Sequence, residues 1–408
     1  MGAPKKLAFV LAGGAARGAY EVGVVQYVVE DVARALGRPI AADILCGTSV
    51  GALNACGLAA YADEGPNAVR RMIDVWTSLD VTTLVGPDVR GILSMGARLL
   101  GRSTGTGDVP PREGGLLDPT GLERLIDAQI PFGRISENLR QRHLGALAVS
   151  TTHVSSGKTV VFVQRSEGGL PPWSLDPTIE PRASTIRLEH ALASAAIPIL
   201  FRAVKIDGEF HCDGGLRQNV PLSPARRLGA DSVLVVNPRY VPTTPLAEPT
   251  AAAEDLFPGP LFLLGKTLNA LLLDRIDTDL SRVEAINKIL SAGEKAYGPT
   301  FTEKLNDALG TDRSRGRVLR PMHTLLVRAS EDIGRRAAEY VRSPAFSHVD
   351  GVTGRVLRRL AERDARSESD LLSYVLFDGR FAKSLIDLGR SDARRRHDEL
   401  VAFFEGAA

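Results

Sequence analysis

The chain has 408 residues, of which 44% are apolar and 24% charged, with a formal net charge of +2 at pH 7. That balance is ordinary for a soluble globular protein long enough for one large domain or two smaller ones, and it gives no electrostatic pull toward nucleic acid. No run reaches the ~18 apolar residues of a membrane-spanning helix. Met1 to Val10 lead directly into a strand, without a signal-peptide core or cleavage site. The expected location is therefore cytoplasmic. Three cysteines, Cys46, Cys56 and Cys212, are too few for a disulfide framework. No Cys/His spacing suits zinc, and neither metal nor cofactor is expected.

In chain order, Leu7 to Ala12 is an apolar run bounded by lysines and glycines, which predicts a buried parallel strand. Gly13-Gly14-Ala15-Ala16-Arg17-Gly18 follows, and a helix is predicted from about Ala19 to Leu36. A glycine-rich loop between strand and helix can hold an anion on exposed N–H groups. The dinucleotide fingerprint needs glycine at position 15, where this chain has Ala15. The P-loop needs Lys and Ser or Thr after Gly18, where it has Ala19 and Tyr20. A donor nest suited to an oxyanion remains. Ile44 to Cys46 predicts the second strand, which runs into Gly47-Thr48-Ser49-Val50-Gly51 and a small-residue helix to about Tyr61. This is the G-x-S-x-G pattern that places a serine on a sharp strand-to-helix turn, with a helix N-terminus aimed at any oxyanion beside it.

Asn67 to Leu79 has helical spacing. From Val81 to Asp118 glycines recur and the pattern weakens, read as a long mobile cover over the site or a disordered surface insertion. Pro119 to Ala128 predicts a helix, and Leu144 to Thr152 with Thr159 to Gln164 a hairpin. A loop carrying Pro171, Pro172 and Pro181 comes next, then a small-residue helix from Leu188 to Ala196. Two short strands flank Asp207-Gly208, the second ending in Asp213-Gly214-Gly215. Asp213 either caps its own Asp-Gly turn or serves chemistry at a strand end. Pro221 to Leu228 is helical and Ser232 to Asn237 a buried strand. A proline-rich connection, Pro238 to Pro260, leads to a long helix from Leu261 to about Ala292 with an apolar first half, read as a packing helix or a membrane-contacting surface. His323 to Arg328 predicts a last strand within a basic stretch, Arg313 to Arg342, read as a solvated face or an attractor of anionic lipid. Val352 to Phe404 is helical and highly charged.

Three features thus stand in order: the loop Gly13 to Gly18, the elbow Gly47 to Gly51, and Asp213-Gly214-Gly215. Together with Ala193 to Pro198 and Asn219-Val220-Pro221, this order resembles the patatin-like phospholipase family. The resemblance covers about residues 5–240 and continues more loosely through the strand near His323 and the helix Ser373-Tyr374-Val375-Leu376-Phe377, which looks like bacterial members. It implies an α/β fold of three layers, α/β/α, with a mainly parallel central sheet. Residues 5–240 would be the catalytic core, with 81–118 as the cover, and 241–408 a mainly helical C-terminal extension with one further strand near 323–328, packed on the core. It also implies a dyad, with Ser49 as nucleophile and Asp213 as proton acceptor, and an oxyanion hole from the N–H groups of Gly13, Gly14 and Ala15 with that of Val50. Arg17 matches a basic position of the family and would steady the loop or attract a phosphate. Gly18, Gly47, Gly51, Gly214 and Gly215 would support these turns. One departure is Ala15, where the family has glycine; a positive φ there would be strained.

The implied activity is hydrolysis of carboxylic esters in phospholipids or lysophospholipids through an acyl-enzyme, with transient contact to a membrane surface, no nucleic acid, and self-association left open. A free Asp carboxyl, with a pKa of about 3.9, is a weak base near neutrality, so burial would have to raise it. A Ser-His-Asp esterase is the nearest alternative: the chain has seven histidines, and His211 precedes Asp213 by two residues. A regulated effector phospholipase needing an activator is another, and an idle lipid-binding scaffold a third.

Overall fold

The computed structural model describes residues 5–84, 86–87, 115, 117–171, 173, 176–241, 276–310, 319–364 and 370–407. Its strands are β1 (Leu7–Leu11), β2 (Ile44–Thr48), β3 (Gly86–Pro87), β4 (Leu117–Asp118), β5 (Ala146–His153), β6 (Thr159–Arg165), β7 (Ile179–Ala183), β8 (Val204–Ile206), β9 (Glu209–Asp213), β10 (Ser232–Asn237) and β11 (His323–Arg328). Among the described residues nine of them form one sheet, in the order β11-β10-β1-β2-β5-β6-β7, with β9 joined to β5 and β8 to β9. The pairs from β11 through β5 are all parallel, as is β6 with β7. β5 pairs antiparallel with both β6 and β9. β3 and β4 form a separate two-stranded pair at the ends of the 81–118 segment. Most of that segment, read above as a cover, lies outside the described residues, as does the apolar stretch 261–273.

The helices are α1 (Ala19–Tyr27), α2 (Val50–Ala60), α3 (Asn67–Thr77), α4 (Thr120–Gln129), α5 (Phe132–Arg140), α6 (Leu188–Ser194), α7 (Leu222–Arg227), α8 (Ile276–Tyr297), α9 (Phe301–Ala308), α10 (Ile333–Arg342), α11 (Gly351–Asp364), α12 (Asp370–Val375), α13 (Gly379–Arg395) and α14 (His397–Gly406). They cover the two faces of the sheet. Alternation along a strand divides the core: Leu7, Phe9 and Leu11 face α1, α2 and α13, whereas Ala8 and Val10 face Val220, Leu222 and Ala225. The strands are buried on both faces, which explains why they read as continuous apolar runs.

α1 continues through a wider π turn, Val28–Val32, to Leu36. It lies between the sheet and α13, and eight of its nine residues are buried. The crossing is close because a glycine stands on each side. A Cβ on Gly23 would meet the carbonyl of Ile386, and one on Gly389 the carbonyl of Tyr20. α13 begins at Asp378, whose carboxylate accepts the N–H groups of Arg380 and Phe381. Residues beyond 240 therefore supply β11 to the same sheet and α13 to the layer on α1.

Two expectations need correction. The proline-containing loop at Pro181 is strand β7, parallel to β6. β7 is the sheet's edge, where one row of N–H groups has no ladder partner and proline is tolerated. The long helix predicted to end near Ala292 runs to Tyr297. The described arginines of the 313–342 stretch are engaged locally: Arg320 with Asp231, Arg328 with Asp277, Arg335 with Glu339, Arg336 with Glu331, and Arg342 with the carbonyl of Ala361. That pattern favours the solvated-face reading. No helix among the described residues is long and apolar enough to cross a membrane.

Gly389→Val should test the crossing. Forcing a branched side chain against a backbone carbonyl is expected to cost about 1–3 kcal/mol, measured as a lower denaturant midpoint with an unchanged slope.

Candidate active site

β5 brings two distant strand ends together. β2 runs beside it as far as Thr48, which lies opposite Ser150. β9 takes up the same edge from the other direction and ends at Asp213, opposite Thr151. β2 and β9 thus point at each other on consecutive rungs of one strand. Ser49, the next residue after Thr48, meets Asp213 there. Its Oγ–H donates to Asp213 Oδ2 at 2.6 Å, a bond across 164 positions of sequence.

Ser49 has φ 55° and ψ −128°, a conformation that costs a non-glycine residue about 1–3 kcal/mol. The surroundings enforce it. Its N–H donates to Ser194 Oγ at 2.9 Å, and that hydroxyl donates in turn to the Ser150 carbonyl at 2.6 Å. Gly47 and Gly51 let the turn close, because a Cβ on Gly47 would strike the Gly51 carbonyl and one on Gly51 the Leu11 carbonyl. α2 starts at Val50, so its free N–H end faces the serine.

Asp213 uses both carboxylate oxygens. Oδ1 accepts the N–H of Gly215 at 2.7 Å and caps the turn, while Oδ2 receives Ser49. The Asp213 carbonyl accepts from Thr152 Oγ1 at 2.9 Å, its N–H donates to the Ala196 carbonyl at 2.9 Å, and Gly214 packs on the Ser150 carbonyl. Asp213 is 0% exposed. Burial without a cationic partner pushes its carboxyl from 3.8 up to about 7, against the smaller opposing pull of the Ser49 and Gly215 hydrogen bonds.

The glycine-rich loop lies alongside. A Cβ on Gly13 would sit 3.1 Å from Ser49 Cβ. Ala15 has φ 49°, the strained conformation that its methyl group makes costly. One expected donor is already spent: the N–H of Gly13 donates to the Asn219 carbonyl at 3.0 Å. Among the described residues the N–H groups of Gly14, Ala15 and Val50 have no acceptor. Asn219 grips Gly13 a second time through Nδ2, 3.3 Å from the Gly13 carbonyl. The sequence marks Asn219 and Ser194 as familiar text without assigning either a task.

Farther back, Asn54 of α2 donates to the Gly18 carbonyl at 3.0 Å and to Glu21 Oε2 at 2.8 Å, and receives Trp76 Nε1–H at 2.9 Å. Burial drives the Glu21 carboxyl well above its usual range, against the opposing hydrogen bond from Asn54. Arg17 is 7% exposed, its Nε donating to Ser373 Oγ at 2.8 Å. His211 is buried, with Nδ1 3.0 Å from Thr151 Oγ1. Desolvation lowers it to about 4, and the partner of Ser49 Oγ is a carboxylate. Among the described residues no group of His, Cys, Asp and Glu side chains is arranged to hold a metal.

A family model described as patatin-like phospholipase matches residues 9–226. Among solved structures, VipD from Legionella pneumophila is similar at 13% identity, covering 94% of this chain and 67% of that one, with a TM-score of 0.30. The heterodimeric ExoU–SpcU complex from the type III secretion system of Pseudomonas aeruginosa is similar at 14% identity, covering 96% and 76%, with a TM-score of 0.28. Scores this low carry no argument about this chain. No curated protein matches it.

The raised carboxyl makes a stability prediction of definite sign. Between about pH 4 and 7 the folded state holds a proton on Asp213 that the unfolded state has lost, so stability falls as pH rises through that window. A rise from 3.8 to about 7 corresponds to roughly 4 kcal/mol. Asp213→Asn removes the burden. Its melting temperature should exceed the parent's at pH 8, and the difference should shrink toward pH 5.

Proposed function

The chain belongs to the patatin-like phospholipase family, and on that premise we propose that it hydrolyses the carboxylic esters of phospholipids or lysophospholipids through an acyl-enzyme on Ser49. Lipid acyl hydrolysis is the family's chemistry. The observation that supports the residue assignment is the 2.6 Å hydrogen bond from Ser49 Oγ to a wholly buried Asp213.

The proposed steps use that pair. As Ser49 Oγ attacks the ester carbonyl carbon, its proton passes to Asp213 Oδ2. The negative charge forms on the former carbonyl oxygen, and the N–H groups of Gly14, Ala15 and Val50 are the donors proposed to receive it. Losing one such donor typically costs about 2.7–4 kcal/mol. Gly13 takes a different part, tied to Asn219 and fixing where the loop begins. Collapse of the tetrahedral intermediate breaks the ester C–O bond, and Asp213 returns the proton to the leaving alcohol. Water then gives a proton to Asp213 and attacks the acyl-enzyme carbonyl; collapse breaks the Ser49 Oγ–C bond, frees the fatty acid, and Asp213 returns the proton to Ser49 Oγ. A carboxyl near 7 is matched to both directions of that transfer.

A carboxylate base must be ionised to accept the serine proton. kcat/KM is therefore expected to rise with pH through a single ionisation near 7 and to level above it; a profile flat from pH 5 to 8 would remove Asp213 from the base role. Lipid products identified by mass spectrometry test the whole assignment. Wild type should release fatty acid from phospholipid or lysophospholipid, and Ser49→Ala and Asp213→Asn should release none above background. A Ser49→Ala protein with parental turnover would end the proposal.

A further inference from the structure

Resting on the acyl-enzyme reading, we propose that helix α12 is a positioning element of the oxyanion loop and acts through the side chain of Arg17. Arg17 lies in the short turn Ala15–Gly18, two residues beyond the strained Ala15. Strained backbone persists where its surroundings over-determine it. Here the surroundings come from far along the chain. Arg17 Nε donates to Ser373 Oγ at 2.8 Å across 356 positions, and the guanidinium lies 4.3 Å from the centre of the Tyr374 ring. Ser373 is 0% and Tyr374 5% exposed. A planar cation is thus clasped between a hydroxyl and an aromatic face, an arrangement that fixes its orientation as well as its position.

The same stretch is held again a few residues on. Tyr20 Oη–H donates to Asp392 at 3.0 Å, and Gly389 of α13 sits against the Tyr20 carbonyl. The loop is therefore pinned at its start by Asn219 on Gly13 and at its end by α12 and α13 on Arg17 and Tyr20. The donors assigned to the oxyanion, Gly14 and Ala15, lie between those pins. The alternative task for Arg17, attracting a lipid phosphate, fits the geometry poorly. Its ring-facing side is covered by Tyr374, its Nε is bonded, and the residue is only 7% exposed, which leaves little room for a phosphate. The matched family pattern ends at residue 226, so this support comes from a part of the chain that the pattern does not describe.

The test uses the full chain on a soluble p-nitrophenyl ester, with active sites counted by fluorophosphonate labelling of Ser49 and melting followed in parallel. Arg17→Ala and Tyr374→Leu are expected to lower kcat per labelled site on the order of 10- to 100-fold, as a small displacement of positioning groups does, with KM within about twofold. Added guanidinium should restore part of the Arg17→Ala loss, and Arg17→Lys, which keeps the charge without the planar group, should remain impaired. A merely structural role would lower the melting temperature and the number of labelled sites, leave kcat per site unchanged and not respond to guanidinium; that result overturns the proposal. Loss of turnover in Ser49→Ala with parental kcat per site in the Arg17 and Tyr374 variants fails this inference alone. Turnover retained by Ser49→Ala fails the acyl-enzyme reading and this inference with it.

Discussion

A single edge of β5 decides where everything else can be. β2 occupies that edge to Ser150, and β9 occupies it from Thr151 onward in the opposite sense. Two chain segments far apart in sequence are therefore forced to stop facing each other. The residue each presents at its end is a hydroxyl in one case and a carboxylate in the other, joined at 2.6 Å. A parallel sheet normally offers side chains at its strand ends as neighbours across a crevice. Here an antiparallel intruder turns two neighbours into a head-to-head pair. The hydrogen bonds that secure it, Thr152 to the Asp213 carbonyl and Ser194 to the Ser150 carbonyl, all anchor on β5 or its partners.

That arrangement concentrates cost in one place. A carboxyl with no cation beside it, a serine and an alanine at positive φ, and a wholly buried Glu21 all lie within or just behind the same two turns. Each is unfavourable by itself. What offsets them is the apolar burial of α1, α2 and the central strands on both sides of the sheet. The site is thus a locally uncomfortable region held by a well-packed frame, the relation expected where reactivity and stability compete.

Much of the frame was legible in the sequence, because buried parallel strands are uninterrupted apolar runs and the elbow needs glycines at fixed spacing. β1, β2, β10 and β11 fall where the apolar runs of Leu7, Ile44, Ser232 and His323 begin. β7 was hidden by Pro181, a residue that argues against a strand unless the strand is already known to be an edge. The candidate site was legible as residue types and not as a set of bonds. Nothing local to Gly13 says that its N–H is taken, since the acceptor is Asn219, 206 positions away. Ser373 and Tyr374 stand out in the sequence as family-like residues, but their pairing with Arg17 does not, because a buried arginine and an anion-binding one look alike until the residues that cover it are known. Local patterns report what a segment can do; long-range contacts decide which of its groups are still available to do it.

The contact between α1 and α13 has a consequence for how the protein comes into being. Tyr20 and Asp392 are 372 positions apart, yet they are bonded, and the glycines beside them allow the two helices to nest. During synthesis the early helix must wait, with one greasy flank uncovered, until the late one has left the ribosome. The glycine-rich loop preceding it gains that support only then. A chain organised this way completes the packing of its first helix only after its late helix has been made.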